Sequence, residues 1–400
     1  MVEKHDVGQK IYSLRKKKGI TQDRLAKLVN VTPQAISKWE NGAALPDTCL
    51  LPALAELFHV SMEELLCVNE PQDTSGQNQS GPVFLPGITY DPCTPPLVGC
   101  IRSSLAYLGV HVSAGWISAP YAFLLNINDE VSFKGPEYWN DNGCFDELIR
   151  NCGGIVMNFG ASNSKPDIAE KRMYAWHLVR DSINKGLPCY AWELDKPTYY
   201  MLAGYDETGY YYIDPDTGRI AGPKPYTQLG ESAWGHLEVH IIRPGSISDN
   251  LKTVKDVFEY AINVSNPLLY PPNKGYTMGI EAYAVWWRAL KNATADPYGV
   301  AYNAAFWSKC KRMAVLFLQE SKLRLGILEN NFHRAITAYE TAAKSLVRLS
   351  QLFPLPIPPE DGLERGRIVE AIDLLQSAQA SEREGLAQIG EILQEIYKIW

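Results

Sequence analysis

The chain has 400 residues, 46% hydrophobic and 21% charged, which is too long for one ordinary core and fits two or three soluble globular domains. No apolar run approaches the ~20 residues that span a bilayer, and the N-terminal MVEKHDVGQKIYSLRKKKG lacks the apolar core of a signal peptide, so a cytoplasmic protein without membrane contact is expected. Net charge is −7, yet residues 1–43 hold nine Lys/Arg against four acidic residues, a local +5 that leaves −12 on the rest; a basic head on an acidic body implies a polyanion-binding module joined to one that binds none.

In chain order, residues 7–66 break into short helices. Gly8 to Lys18 places Ile11 and Leu14 on one face. Thr21 is a good N-cap for QDRLAKLV, with Leu25 and Leu28 inward. Thr32 caps a third helix, PQAISKWEN, with Pro33 at its first position, where a missing N–H is harmless, and Gly42 as its stop. Ile36 and Trp39 form the buried face of that helix, leaving Gln34, Ser37, Lys38 and Asn41 outward. LPALAELFHV gives a fourth helix, and the capping box Ser61-Met62-Glu63-Glu64 opens a fifth. Two short helices joined by a tight turn, the second displaying polar side chains, make a helix-turn-helix.

The stretch ITQDRLAKLVNVTPQAISKWENGAALPD resembles the Cro/lambda-repressor (XRE) family over about residues 6–68. That resemblance implies that the helix after Thr32 enters the major groove of a double-stranded DNA operator. Gln34 and Lys38 then stand where base edges are read, with Thr32, Pro33 and Ser37 beside them. Gln22 is expected to hold a phosphate with its backbone N–H. Asn41 either joins this face or caps the helix end, and Arg15 to Lys18 either touch phosphate or are solvated.

Asn69 to Pro82, NEPQDTSGQNQSGP, is polar and nearly free of hydrophobes, the composition of a flexible linker. We therefore expect a head at 1–68, a linker at 69–83, a mixed α/β domain at 84–248 and a helical bundle at 249–400. In the third region GCIRSSLAYLGV reads as a helix behind Cys100, MYAWHLVRDSINKG as an amphipathic helix, and LPCYAWEL and WGHLEVHIIRP as strands. Between these strands, Tyr199–Ala203 and Tyr210–Ile213 flank Asp206-Glu207-Thr208-Gly209 as a hairpin.

The eight cysteines contain no Cys-x-x-Cys pair, so reduced thiols are expected rather than disulfides or zinc. His236 and His240 lie four apart in a strand pattern, ~13 Å along one face, too far for one metal. No metal and no cofactor is expected.

PLVGCIRSSLAYLGV, GWISAPYAFLLNI, LPCYAWEL and AGYDETGYYYIDPDTG resemble the BtrH-type family of the papain-like superfamily over about residues 88–245. The resemblance implies an α+β papain-like fold with a Cys nucleophile activated by a His that a third polar group orients. Cys100 stands in the nucleophile place and Asp214 in the orienting place. Thr198 stands where the His is expected, and threonine cannot accept a proton near neutral pH. Either catalysis is lost or His177, His236 or His240 takes over. With loss favoured, Cys100 reverts to a buried small hydrophobe lining the old cleft.

The many aromatics of this region, among them Trp116, Tyr121, Phe123, Tyr138, Trp139, Trp176, Tyr190, Trp192, Tyr199 and Tyr200, point to a ligand pocket suited to a flat or cationic small molecule. Its first candidates are Cys100, Trp116, Tyr121, Tyr199 and Tyr200. From Leu251 onward, apolar residues at three- and four-residue spacing give about five long helices, interrupted by PLPIPPEDG. The whole reads as a multidomain protein: an all-α head, an α+β papain-like middle and a helical bundle. The function expected is a homodimeric transcriptional regulator whose non-catalytic papain-like domain senses an unidentified small-molecule effector. The alternatives are an active cysteine acyltransferase or amide hydrolase tethered to DNA, and a protein-docking scaffold.

Overall fold

The structure, a computed structural model, describes residues 4–41, 44–47, 50–58, 60, 65, 81–93, 95–136, 143–231, 235–264, 266–357 and 365–399. Gly42, the fifth head helix at 61–64, most of the linker, Tyr138, Trp139 and part of PLPIPPEDG lie outside the described residues. The chain forms two compact units, 1–80 and 81–400.

The first unit holds helices α1 (Lys4–Lys17), α2 (Gln22–Leu28), α3 (Pro33–Glu40) and α4 (Leu51–Phe58). The threonine caps form as expected: Oγ1 of Thr21 accepts from the Arg24 N–H at 3.1 Å and that of Thr32 from the Ala35 N–H at 3.2 Å. Val7, Ile11, Leu25, Ile36, Trp39, Leu54 and Leu65 close one small core. At Gly8, α1 passes so near the end of α3 that a Cβ would run into the Trp39 carbonyl oxygen. Beside that contact the guanidinium of Arg15 donates through Nε and Nη2 to both carboxylate oxygens of Glu40, at 2.5 and 2.8 Å, and through Nη1 to the Ile20 carbonyl at 2.9 Å. Arg15 is only 5% exposed, so it is neither solvated nor free for phosphate.

The second unit is built on an antiparallel sheet. Its strands are β1 (Val83–Phe84), β3 (Cys152–Ser162), β4 (Cys189–Trp192), β5 (Tyr199–Tyr205), β6 (Gly209–Ile213), β7 (Ile220–Pro225) and β8 (His236–Ile247), in the order β3-β8-β4-β5-β6-β7 with β1 also on β5. A small second sheet pairs β2 (Asn126–Asn128) with β9 (Tyr276–Met278). Both faces of the large sheet are covered, which is why β5 reads as a continuous apolar run instead of an alternating one. On one face Ala191, Tyr200, Leu202, Tyr210 and Val239 pack against Trp176, Val179 and Ile183 of a helix at Ile168–Asn184. On the other, Tyr190, Met201, Ala203, Ile213 and Ile242 join a larger core with helix α5 (Pro96–Tyr107).

After α5 come the short helices α6 (Ala114–Ile117) and α7 (Ala119–Ala122), then α8 (Cys144–Asn151) and α9 (Ile168–Asn184). The tail consists of α10 (Asn250–Asn263), α11 (Ile280–Lys291), α12 (Pro297–Leu325), α13 (Glu329–Leu352) and α14 (Arg365–Ile399). The expected boundary at 248 falls between β8 and α10, but one core runs across it, from Val98 and Ile101 of α5 to Phe317, Leu346 and Ile392. Among the described residues, no helix is long and apolar enough to cross a membrane.

The tail is fastened to the sheet region by Lys311 of α12, which has no solvent exposure. Its Nζ donates to the carbonyls of Ala122 and Leu124, at 3.2 and 3.1 Å, and to Glu382 of α14 at 2.5 Å; the Tyr283 hydroxyl of α11 donates to the other Glu382 oxygen at 2.7 Å. Removing one member of such a buried pair strands the other charge. Lys311→Met should therefore destabilise the full chain by ~3–5 kcal/mol in denaturant unfolding, and adding Glu382→Leu should recover much of the loss. An unchanged midpoint for Lys311→Met would show that the pair is dispensable.

Candidate functional site

In the head, the cap at Thr32 and the proline at the first position of α3 start the helix, and Ile36 and Trp39 turn inward. Thr32, Pro33, Gln34, Lys38 and Asn41 are exposed, with Ser37 half-buried beside them. Gln34 and Lys38, four apart, are neighbours on this face. Asn41 serves as the C-cap: its backbone N–H donates to the Ser37 carbonyl at 3.1 Å and its Nδ2 to Ser37 Oγ at 3.4 Å. Gln22 opens α2, leaving its backbone N–H at the positive helix end. Its side chain is engaged elsewhere, donating to Glu40 Oε2 at 2.7 Å. The Arg15–Glu40–Gln22 cluster thus locks α1, α2 and α3 together and fixes the angle at which the outward face of α3 is displayed.

Among the described residues, the second unit does not assemble a thiol–imidazole site at Cys100. That residue lies in the second turn of α5, has no solvent exposure, and burial alone pushes its thiol far above the ordinary range. The ring of Tyr90 lies against Gly99, where a Cβ would run into it. No histidine is hydrogen-bonded to Cys100 among the described residues. Thr198 belongs to the turn between β4 and β5: its N–H donates to the Lys196 carbonyl and its carbonyl accepts from the Glu193 N–H. Asp214 is committed to its own turn, with Oδ1 accepting from the Asp216 and Thr217 N–H groups at 3.1 and 2.7 Å and from the Thr217 hydroxyl at 2.9 Å. Partial burial pushes its pKa up, but these donors outweigh that and hold it below the usual carboxylate value.

The histidine on this face is tied to other partners. Nε2 of His240 meets Glu238 Oε1 at 2.8 Å, the ring stacks on Tyr190 at 4.6 Å, and the Tyr199 hydroxyl donates to Glu238 Oε2 at 3.2 Å. Burial raises the Glu238 pKa, yet the His240 contacts more than compensate and keep it below normal. Sequence reasoning missed this cluster, although the alternation in HLEVHII places residues 238 and 240 on one face. His177 and His236 are exposed.

Of the five residues singled out as a pocket, Cys100, Trp116, Tyr121 and Tyr199 share one core, where Tyr199 lies near Tyr121, and Tyr200 does not join them. Tyr199 and Tyr200 point to opposite faces of the sheet, Tyr200 packing with the α9 side and accepting from the Lys196 N–H at 2.8 Å. Trp116 is core, 5.0 Å from Phe317 with Arg324 over its ring, and Tyr121 is wedged between Phe145 and Phe306. Cys100 is core as well.

Two cavities lie elsewhere in this unit. One, of about 350 Å³, runs along α8 and α10, and its charges are mutually engaged: Lys252 donates to Glu147, Asn151 and Asp256. The other, of about 430 Å³, opens between Tyr90–Cys93 with Pro96, the Pro215–Asp216 turn and α12, and is lined by Tyr90, Cys93, Asp216, Lys309, Arg312 and Met313 among others. Among the described residues no cluster of His, Cys, Asp and Glu has the spacing to hold a metal.

Residues 11–65 match the Helix-turn-helix family, so the N-terminal unit carries an XRE-type helix-turn-helix domain. Over 65 residues, 16% of this chain, it is 37% identical to the HTH-type transcriptional activator BcrR of Enterococcus faecalis, covering 32% of that protein. Over 80 residues, 18% of this chain, it is 35% identical to an uncharacterized HTH-type transcriptional regulator, RP497, of Rickettsia prowazekii (strain Madrid E), covering 59% of it. The chain thus spans about a third and about three-fifths of these two relatives.

The burial of Cys100 makes a direct prediction, because only the thiolate reacts. Iodoacetamide at pH 7 should label the half-buried Cys93 while leaving Cys100 untouched until the chain unfolds, as read by peptide mass spectrometry. Rapid labelling of Cys100 at or below pH 7 would contradict the account of a desolvated thiol.

Proposed function

We propose that the protein is a sequence-specific DNA-binding transcriptional regulator whose second unit is a non-catalytic, papain-like sensor of a small molecule. The observation that carries this reading is α3 itself, a short helix held by Arg15–Glu40 with Gln34 and Lys38 outward, in a segment matching helix-turn-helix regulators. In this reading Gln34 takes adenine, Lys38 takes the O6/N7 edge of guanine, and Thr32, Pro33 and Ser37 line the groove. Gln22 meets a phosphate through its backbone N–H. The papain-like assignment rests on the resemblance, supported by a cysteine-bearing helix followed by antiparallel strands. Loss of catalysis is supported by the buried Cys100, the turn-bound Asp214 and Thr198. The 430 Å³ cleft beside Tyr90 is the effector site in this reading.

One head buries little DNA, so a homodimer on an inverted repeat is expected, with half-sites about one helical turn apart. The second copy would pair along β3. This edge strand, CGGIVMNFGAS, runs 11 residues without a charge or a proline, whereas the opposite edge, β7, carries Pro223, Lys224 and Pro225. Beyond the bulge at Cys152–Gly154 this edge carries none of the usual blunting residues, so it is a pairing template, and two copies of one strand pair antiparallel about a two-fold axis, the symmetry an inverted repeat demands.

Two substitutions test these statements. Lys38→Ala should weaken binding to the operator by ~1–3 kcal/mol and relax specificity at one base pair, with little effect on random DNA; an equal loss on both would reduce Lys38 to a phosphate contact. Ile155→Lys, at an exposed position of β3, should convert the dimer to monomers in sedimentation and weaken operator binding without changing the circular dichroism spectrum. A variant that remains dimeric would remove β3 from the interface.

A further inference from the structure

We propose that the cleft beside Tyr90 takes a small organic anion, an apolar body bearing a carboxylate or phosphate head, and that Lys309 and Arg312 recognise that head. The inference deepens the sensing reading of this cleft and names the chemical class of its effector. It begins with the charge inventory of the lining. Lys309 and Arg312 stand three residues apart on α12, hence on one face of the helix. Both are exposed, and neither has an ion-pair partner among the described residues. Two other cations of α12 are paired, Lys311 with Glu382 and Arg324 with Glu320, while Lys322 lies at the far end of the helix and does not line the cleft. The single carboxylate in the lining, Asp216, is held by Lys196 at 2.9 Å and is not available to neutralise them.

The cleft therefore carries two positive charges without ion-pair partners on one concave wall, which focuses their field on whatever enters it. The N-terminal end of α5 adds to the same potential: the helix begins at Pro96, which lines the cleft, and no side chain caps it. The guanidinium fork of an arginine matches a carboxylate or phosphate with two parallel bonds, and a lysine adds a point charge. Tyr90, Met313 and the prolines at 92, 96 and 215 supply apolar wall, which is why the ligand is organic rather than a bare inorganic ion. A volume of about 430 Å³ lies within the range of small-molecule sites. This reverses the sign suggested by the aromatic content of the sequence: a cationic ligand here would face two like charges.

Cys93 lines the cleft and reports on occupancy. Its alkylation rate in the full-length protein should be measured against phenyl phosphate, benzoate and benzylamine, the first two separating phosphate from carboxylate recognition. At least one anion should slow alkylation by roughly fivefold or more at millimolar concentration, and benzylamine should not. In the double variant Lys309→Gln/Arg312→Gln, which changes two exposed side chains and should leave the circular dichroism spectrum unchanged, half-protection should need at least ~10-fold more anion, as expected for losing two charge-assisted contacts. Arg312→Lys, which keeps the charge, should retain most of the protection. Absence of protection by both anions, equal protection in the double variant, or stronger protection by benzylamine would overturn the proposal. Operator affinity measured with and without the protecting anion separates the two claims: protection without a change in affinity establishes the anion site and ends its role as effector cleft.

Discussion

A lysine with no access to water has to find every partner inside the protein, and Lys311 finds its partners in two distant parts of the chain. The carbonyls of Ala122 and Leu124 belong to the segment that follows α5, and Glu382 belongs to the last helix. Desolvating the two charges is expensive, and only the short contact together with the extra bonds from Tyr283 and the two carbonyls offsets it. The interaction has a geometric consequence. With Lys311 driven inward, the rotation of α12 about its axis is set, and Lys309 and Arg312 are carried outward to the rim of the cleft. The tail is thus part of the body that forms the cleft, not an appendage, and the cleft-facing side of α12 is fixed by a residue that does not line the cleft.

The head uses the same device at smaller scale. A core of about a dozen side chains leaves three short helices poorly constrained. The fork of Arg15, gripping Glu40 while also taking the Ile20 carbonyl, and Gln22 joining the same carboxylate, constrain them. Gly8 lets α1 approach the end of α3 closely enough for this to happen. The outward face of α3 is therefore presented by a rigid frame, which is what base readout needs from a helix of only eight residues.

The head was legible in the sequence because its signals are local: Thr21 and Thr32 as caps, Pro33 at a helix start, and apolar residues at helical spacing, although Leu28, expected inward, is 47% exposed. The β5–β6 hairpin was legible for the same reason, through the Asp206–Gly209 turn. What depends on distant partners was not. Strand β3 pairs with β8 some 80 residues later, and its three glycines weaken any propensity signal. Arg15 reads as a surface cation until Glu40, 25 residues on, is brought beside it. Tyr199 and Tyr200 part for a reason already present in the pattern, since adjacent residues of one strand face opposite ways. The cleft itself was illegible because Tyr90, Asp216, Lys309 and Arg312 meet only through the tertiary fold.

The central claim is that α3 of the head reads base sequence and that the body presents two heads in a two-fold relation. The most direct measurement is to let the full-length protein select duplexes from a random pool and to sequence those retained. The account predicts a short inverted repeat whose half-sites are centred about one helical turn apart, and a change at one base pair per half-site when Lys38→Ala makes the selection. Retention of DNA with no enriched sequence, or the same sequence for both proteins, would contradict it.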